Sequence, residues 1–203
     1  MLDLIIKNGQ IIDGTGSEPF FADIGKDNGK IVFIGDCKQE AKKVIDAAGL
    51  VVTPGFIDSH SHVDKAVLEF PEQKEKCEQG ITTSVAGQCG SSYMPKIKSS
   101  NEARRSAAGF FKKLDTLPLG ANIVTFVGHG TVRSSVMGLA NREPTGDELE
   151  QMKDLVRESI KAGAIGVSFG LIYVPSCYAG TAELVEIAKA CKAAGGMISA
   201  HIR

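Results

Sequence analysis

The feature that most constrains this chain is a unit that recurs after Leu50: a helix, a glycine, a short β-branched strand, and a polar strand end. EQKEKCEQG leads into ITTSVAGQC, and RRSAAGFFKKLD leads across Pro118 and Gly120 into ANIVTFVGHG. DELEQMKDLVRESIKAG then leads into AIGVSFG, and TAELVEIAKACKAAGG into MISAHIR. Helices alternating with such strands imply parallel βαβ units, so the fold class is α/β. The candidates are a doubly wound sheet and a (β/α)8 barrel. No G-x-G-x-x-G opens a helix after the first strand, which weakens the dinucleotide-binding version. The best-signalled helix follows Thr145. Thr145 and Glu148 form a T-x-x-E capping box, Leu149, Met152, Val156 and Ile160 make one apolar stripe, and Gly163 stops it.

Residues 1–52 read differently, as a small antiparallel β-module. Asn8-Gly9 and Asn28-Gly29 each lie between apolar arms, the pattern of a two-residue hairpin with φ > 0 at both central positions. Fifty residues of β are too few to close a good core alone. Residues 53–203 hold about five of the eight strands that a barrel needs. The chain stops just after the last of them without a cap or charged tail, so it is expected to be the front part of a longer protein.

Composition narrows the partners. The 23 Lys+Arg nearly balance the 24 Asp+Glu, which gives no footprint for nucleic acid or an anionic membrane. No apolar run is long enough to span a bilayer, and MLDLIIKNG lacks the basic start of a secretory signal. Five cysteines without C-x-x-C spacing fit a reducing compartment, so a cytoplasmic protein with a small-molecule substrate is expected.

The four histidines (60, 62, 129 and 201) and Cys89 all fall at the carboxyl end of an expected strand, where parallel α/β folds carry their sites. His60-Ser61-His62 is the sharpest element. Residues i and i+2 of a strand face one side, so both imidazoles converge on one point, and imidazole suits zinc. The alternative is a chance surface H-x-H. Cys89, in AGQCGSS, is either a metal-bound thiolate or a small buried hydrophobe. His201, in SAHIR, is a candidate ligand by position, and His129, in VGHGT, either touches substrate or hydrogen-bonds the backbone. Asp58 is either a carboxylate that orients an imidazole or a polar residue satisfied inside the fold.

VVTPGFIDSHSHVD, with a small β-module before it, resembles the amidohydrolase superfamily. Within it, AGQCGSS, FVGHGTVRSSVMG, REPT-x-x-EL, SFGLIYVPSCYA and SAHIR resemble the N-acyl-D-amino-acid deacylases, in that family's order and over essentially the whole chain. The resemblance implies the N-terminal part of a TIM-like metal-dependent hydrolase barrel, preceded by the β-module. It implies His60, His62, Cys89 and His201 as ligands of one or two zinc ions, with Cys89 in the role that a carboxylated lysine plays in hydantoinases. GVSFGLIY has no lysine, which agrees. Tyr173 and Arg203 stand where contact with a substrate carboxylate is implied. The family's next histidine ligand and its catalytic aspartate belong to strands beyond Arg203, so no general base is expected here and this stretch alone is expected to be inactive. The implied reaction is zinc-assisted hydrolysis of N-acyl-D-amino acids. The alternatives are another cyclic- or linear-amide hydrolase of the hydantoinase or dihydroorotase type, and a non-catalytic metal-binding fragment.

Overall fold

The computed structural model describes residues 1–97 and 105–202. The chain divides into two compact units, Met1–Gly55 and Phe56–Arg203. The first is a β-sheet of β1 (Leu2–Ile11), β2 (Phe20–Asp27), β3 (Lys30–Gly35), β4 (Ala41–Asp46) and β5 (Val51–Val52), in the order β3-β2-β1-β4 with β5 also on β1. β1–β2 and β2–β3 are antiparallel, whereas β4 and β5 join β1 in parallel. Leu2, Ile5 and Cys37 form its small core, with Phe33 and Ala41 packed on them.

Asn28-Gly29 makes the expected hairpin: φ is 47° and 77°, and β2 pairs with β3 directly across it. Asn8-Gly9 does not. β1 runs straight through it, and the register on β2 slips by one residue between Ile6 and Gly9, so Asn8 (φ 62°) is a bulge. Tertiary partners decide the outcome. The Asn8 amide donates to Asp23 Oδ1 (3.0 Å), its side chain donates to Asp46 Oδ1 (2.9 Å), and a Cβ on Gly9 would lie 2.6 Å from Val52 Cγ2. The dipeptide serves a close approach of β5, not a chain reversal.

In the second unit β6 (Phe56–Asp58), β7 (Ile81–Ala86) and β8 (Asn122–Thr125) are consecutive parallel neighbours, and so are β9 (Val127–Gly128), β10 (Gly166–Gly170) and β11 (Met197–His201). Phe126 alone separates β8 from β9, and its amide donates to Ala86 O (3.0 Å), so these two segments are one line of chain. The strands therefore follow one another laterally in sequence order. Helices α1 (Lys74–Cys77), α2 (Ala107–Leu114), α3 (His129–Met137), α4 (Gly146–Lys161) and α5 (Thr181–Ala193) lie between them in the chain. α3 was not anticipated, because VGHGTVRSS carries no apolar stripe of helical period. Its buried side chains include His129 and Arg133 rather than a run of hydrophobes. The main core joins Val127, Val132, Met152, Val156, Val167 and Ile187, each fully buried. Burial of a side chain of this size contributes about 1.5–3 kcal/mol. Among the described residues no helix is long and apolar enough to cross a membrane.

The α4 start matches the capping box. The Thr145 hydroxyl accepts from the Glu148 amide, and Glu148 accepts from the Thr145 amide while also holding Arg142 through two 2.7 Å bonds. Arg142 first, and the Thr145 amide second, hold the Glu148 carboxyl down to about 2 from 4.5. A folded-state value below the unfolded one stabilises the fold above the unfolded value, and that contribution is lost as pH falls through the folded one. Thermal melts of Glu148→Gln should therefore lie below wild type at neutral pH and converge with it between about 4.5 and about 2. A constant separation across that range would show that the charge of Glu148 does not support the helix.

Candidate metal centre

β6 ends at Asp58, and the chain then carries His60 and His62 past the sheet's carboxyl edge. The Ser61 amide stays tied to Val85 O (2.9 Å), the next strand over, so the pair is anchored to the sheet rather than set on a loose loop. Asp58 accepts the His60 amide (3.3 Å) and pairs with Lys76, whose ammonium is the main cause of its lowered pKa. It orients His60 through the backbone and not through the ring. Asp64, which the sequence did not single out, is a buried carboxyl that accepts the Tyr93 amide, and desolvation raises its pKa.

Cys89 comes from the turn after β7 and has a left-handed backbone, φ 54°. A non-glycine residue in that region costs roughly 1–3 kcal/mol and persists where its surroundings over-determine it. Here they do. The Ser168 hydroxyl donates to Gly87 O and accepts the Gly90 amide (3.0 Å), bridging the turn from β10. Gln88 donates to Ser59 O (3.0 Å) and accepts from the Ser199 hydroxyl (2.8 Å), tying the turn to β6 and β11. Glycines permit this approach: a Cβ on Gly170 would lie 1.9 Å from Cys89 O, and one on Gly128 would lie 2.5 Å from Gly90 O.

The result is a cluster. His60 Nε2 lies 3.2 Å from Cys89 Sγ, the His60 and His62 rings meet edge to face at 5.6 Å, and one donor atom from each of the three residues falls within 4.8 Å of the others. Tetrahedral zinc with bonds of about 2.0–2.3 Å separates its ligand atoms by roughly 3.3–3.8 Å, a spacing that the His60–Cys89 pair at 3.2 Å matches and that the 4.8 Å limit on the group of three exceeds by about 1 Å. Three protein ligands also match a catalytic site that keeps a position open.

His62 and Cys89 open onto a cleft of about 520 Å³, whose other walls include Leu139 and Tyr173. Tyr173 is thus part of the cleft wall. His201, the last residue of β11, sits at the same strand-end level but outside the three-residue group, its ring edge to face with Tyr173 at 5.2 Å. Arg203 lies outside the described residues. His129 corrects an expectation. It is 0% exposed, and its ring nitrogens are taken by Ser176 and Glu183 at 2.9 Å each, so it has no face for a substrate. Gln88, Ser168 and Ser199 were missed for a plain reason: each acts on a partner at least 29 residues away, which no local pattern records.

Residues 43–196 match the family model described as "Amidohydrolase family". This chain belongs to the amidohydrolase family. Over 214 residues it is 36% identical to a D-aminoacylase of Alcaligenes xylosoxydans xylosoxydans, covering 99% of this chain and 44% of that protein. Its fold superimposes with a TM-score of 0.94 on the N-acyl-D-glutamate deacylase of Bordetella bronchiseptica, solved with zinc and a phosphonate mimic of the tetrahedral intermediate (35% identity, 100% of this chain, 45% of that one). It superimposes with a TM-score of 0.91 on a D-aminoacylase described for its binuclear metal centre (34% identity, 98% of this chain, 44% of that one). The α/β fold of this amidohydrolase chain is thus that of D-aminoacylase structures, and it spans less than half the length of those relatives.

Gly170→Ala should lower the urea midpoint by an amount worth about 2 kcal/mol or more and weaken metal retention, because the added methyl collides with Cys89 O. Gly146→Ala, in open space at the start of α4, is the control and should stay within about 0.5 kcal/mol of wild type. Equal effects of the two would refute the close-approach argument.

Proposed function

We propose that this chain is the metal-binding portion of a zinc-dependent hydrolase that cleaves the amide bond of N-acyl-D-amino acids, releasing a carboxylate and a free D-amino acid. The observation that carries the proposal is the His60–His62–Cys89 cluster at the mouth of a cleft, in a chain similar along its whole length to D-aminoacylases. On this reading the parallel strands of the second unit, with β8 and β9 counted as one, are the first five of a (β/α)8 barrel, and residues 1–52 are a β-module that precedes it in the chain. Their lateral orders, β6-β7-β8 and β9-β10-β11 with Phe126 carrying β8 into β9, support this, because successive neighbours are what a closing barrel requires.

His60, His62 and Cys89 would hold the ion, with His201 as a further donor on the same rim, to one ion or to a second. When bound, zinc lowers the pKa of a coordinated water toward neutrality and polarises a carbonyl. The chain's own contribution is to present the donors. Asp58 steadies the His60 backbone, the Ser168 and Gln88 bonds keep Cys89 turned toward His60, and Tyr173 closes the cleft beside them. Arg203 and Tyr173 are proposed to meet the substrate carboxylate. The aspartate that would move the water's proton is assigned to sequence after Arg203. A cytoplasmic enzyme with a small-molecule substrate follows from the same reading.

The test is an assay of the full-length, zinc-loaded protein on N-acetyl-D- and N-acetyl-L-amino acids. Turnover of the D series is expected, and turnover of the L series alone would overturn the proposal. Cys89→Ser should reduce bound zinc and lower turnover by about 100-fold or more, since a hydroxyl is a poor substitute for thiolate on zinc. Unchanged zinc content and rate would remove Cys89 from the site.

A further inference from the structure

A second polar constellation, away from the His60–His62–Cys89 cluster, lies buried in the second unit. His129 and Arg133, on successive turns of α3 and both 0% exposed, reach the same carboxylate on α5. His129 Nε2 is 2.9 Å from Glu183 Oε1, and Arg133 Nε donates to Oε1 and Oε2 at 3.0 and 3.3 Å. A carboxylate only accepts, so His129 donates through Nε2, and in the neutral ring Nδ1 is left to accept from the Ser176 hydroxyl at 2.9 Å. At its other end the Arg133 guanidinium donates to the carbonyls of Ala140 (2.9 Å) and Arg142 (2.6 Å).

Stability does not explain this arrangement, because a buried ion pair gains little over apolar side chains of the same volume. Its ends do. Ser176 belongs, with Tyr173 and Val174, to one wall of the cleft that His62 and Cys89 open onto. The Ala140 carbonyl follows directly on Leu139, which belongs to the same cleft's lining. One continuous chain of hydrogen bonds therefore connects the Ser176 segment with the Leu139 segment. Ser–His–Glu is also the order of a hydrolytic triad, but Ser176 is 1% exposed, which leaves a substrate no access to its hydroxyl.

We infer that Ser176–His129–Glu183–Arg133 is a positioning relay that couples the Leu139 and Tyr173–Ser176 segments and thereby sets which substrate side chains the cleft admits. The selectivity half of the inference rests on the proposed deacylase function, whereas the coupling half stands on the hydrogen bonds alone.

Two measurements on the full-length, zinc-loaded protein test it: hydrogen–deuterium exchange, and kcat/KM for N-acetyl-D-alanine against N-acetyl-D-leucine. Glu183→Gln keeps the volume and removes the central acceptor charge. It should speed exchange in both 138–142 and 171–178, leave zinc content unchanged, and shift the substrate ratio about tenfold, mainly through KM. Ser176→Ala cuts one end and should speed exchange strongly in 171–178 and, through His129, Glu183 and Arg133, to a smaller extent in 138–142. Exchange at wild-type rates in both segments overturns the relay. So does faster exchange spread evenly over α3 and α5 with a uniform loss of turnover, which would mark a packing role. Should Glu183→Gln fail to fold, Ser176→Ala decides by itself: unchanged exchange in 138–142 refutes the coupling. Absence of D-substrate turnover in the wild type would sink the deacylase function, and the exchange comparison would still decide the relay.

Discussion

The His60–His62–Cys89 cluster depends on one close approach: the Cys89 turn lies against β9 and β10 at a distance that only glycine allows at Gly128 and Gly170. That contact and the Ser168 bridge hold Cys89 in a left-handed conformation, and the conformation turns Sγ toward His60. The helices packed on β9 and β10 act on the site indirectly, by holding Gly128 and Gly170 where the turn can rest.

Parallel strands make such a site possible, because every carboxyl end falls on one side. The segments that follow β6 and β7 supply the three donors, β9 and β10 carry the glycines that the Cys89 turn rests against, and β11 adds Ser199 to the clamp on Gln88. Residues distant in sequence thus meet with little strain at any one of them except Cys89. Where a side chain is buried and charged in this unit, as at Arg133 and Glu183, it is hydrogen-bonded to several partners, as the low dielectric of the interior demands.

Patterns that depend on a single element were legible in the sequence. The α4 capping box and its stripe are local: Thr145 and Glu148 are three residues apart, and Met152 and Val156 share a face by helical period. The same holds for Asn28-Gly29, whose partners are the strands on either side of it. Asn8-Gly9 shows the limit. The dipeptide specifies positive φ but not its use, and Asp23, Asp46 and Val52 made it a bulge.

The candidate site divides along the same line. By itself the sequence determined the alternation of helix and strand, the strand-end positions of His60, His62 and Cys89, and the residue types capable of holding zinc, since each follows from spacing along one stretch of chain. Only the tertiary structure decided which of these groups meet. His129 and His201 both fall at the carboxyl end of an expected strand. Yet the chain turns into α3 at His129 and buries its ring between Ser176 and Glu183, whereas His201 remains exposed beside Tyr173. The difference rests on partners 47 and 54 residues away, and contacts at that separation exist only once the strands and helices have packed.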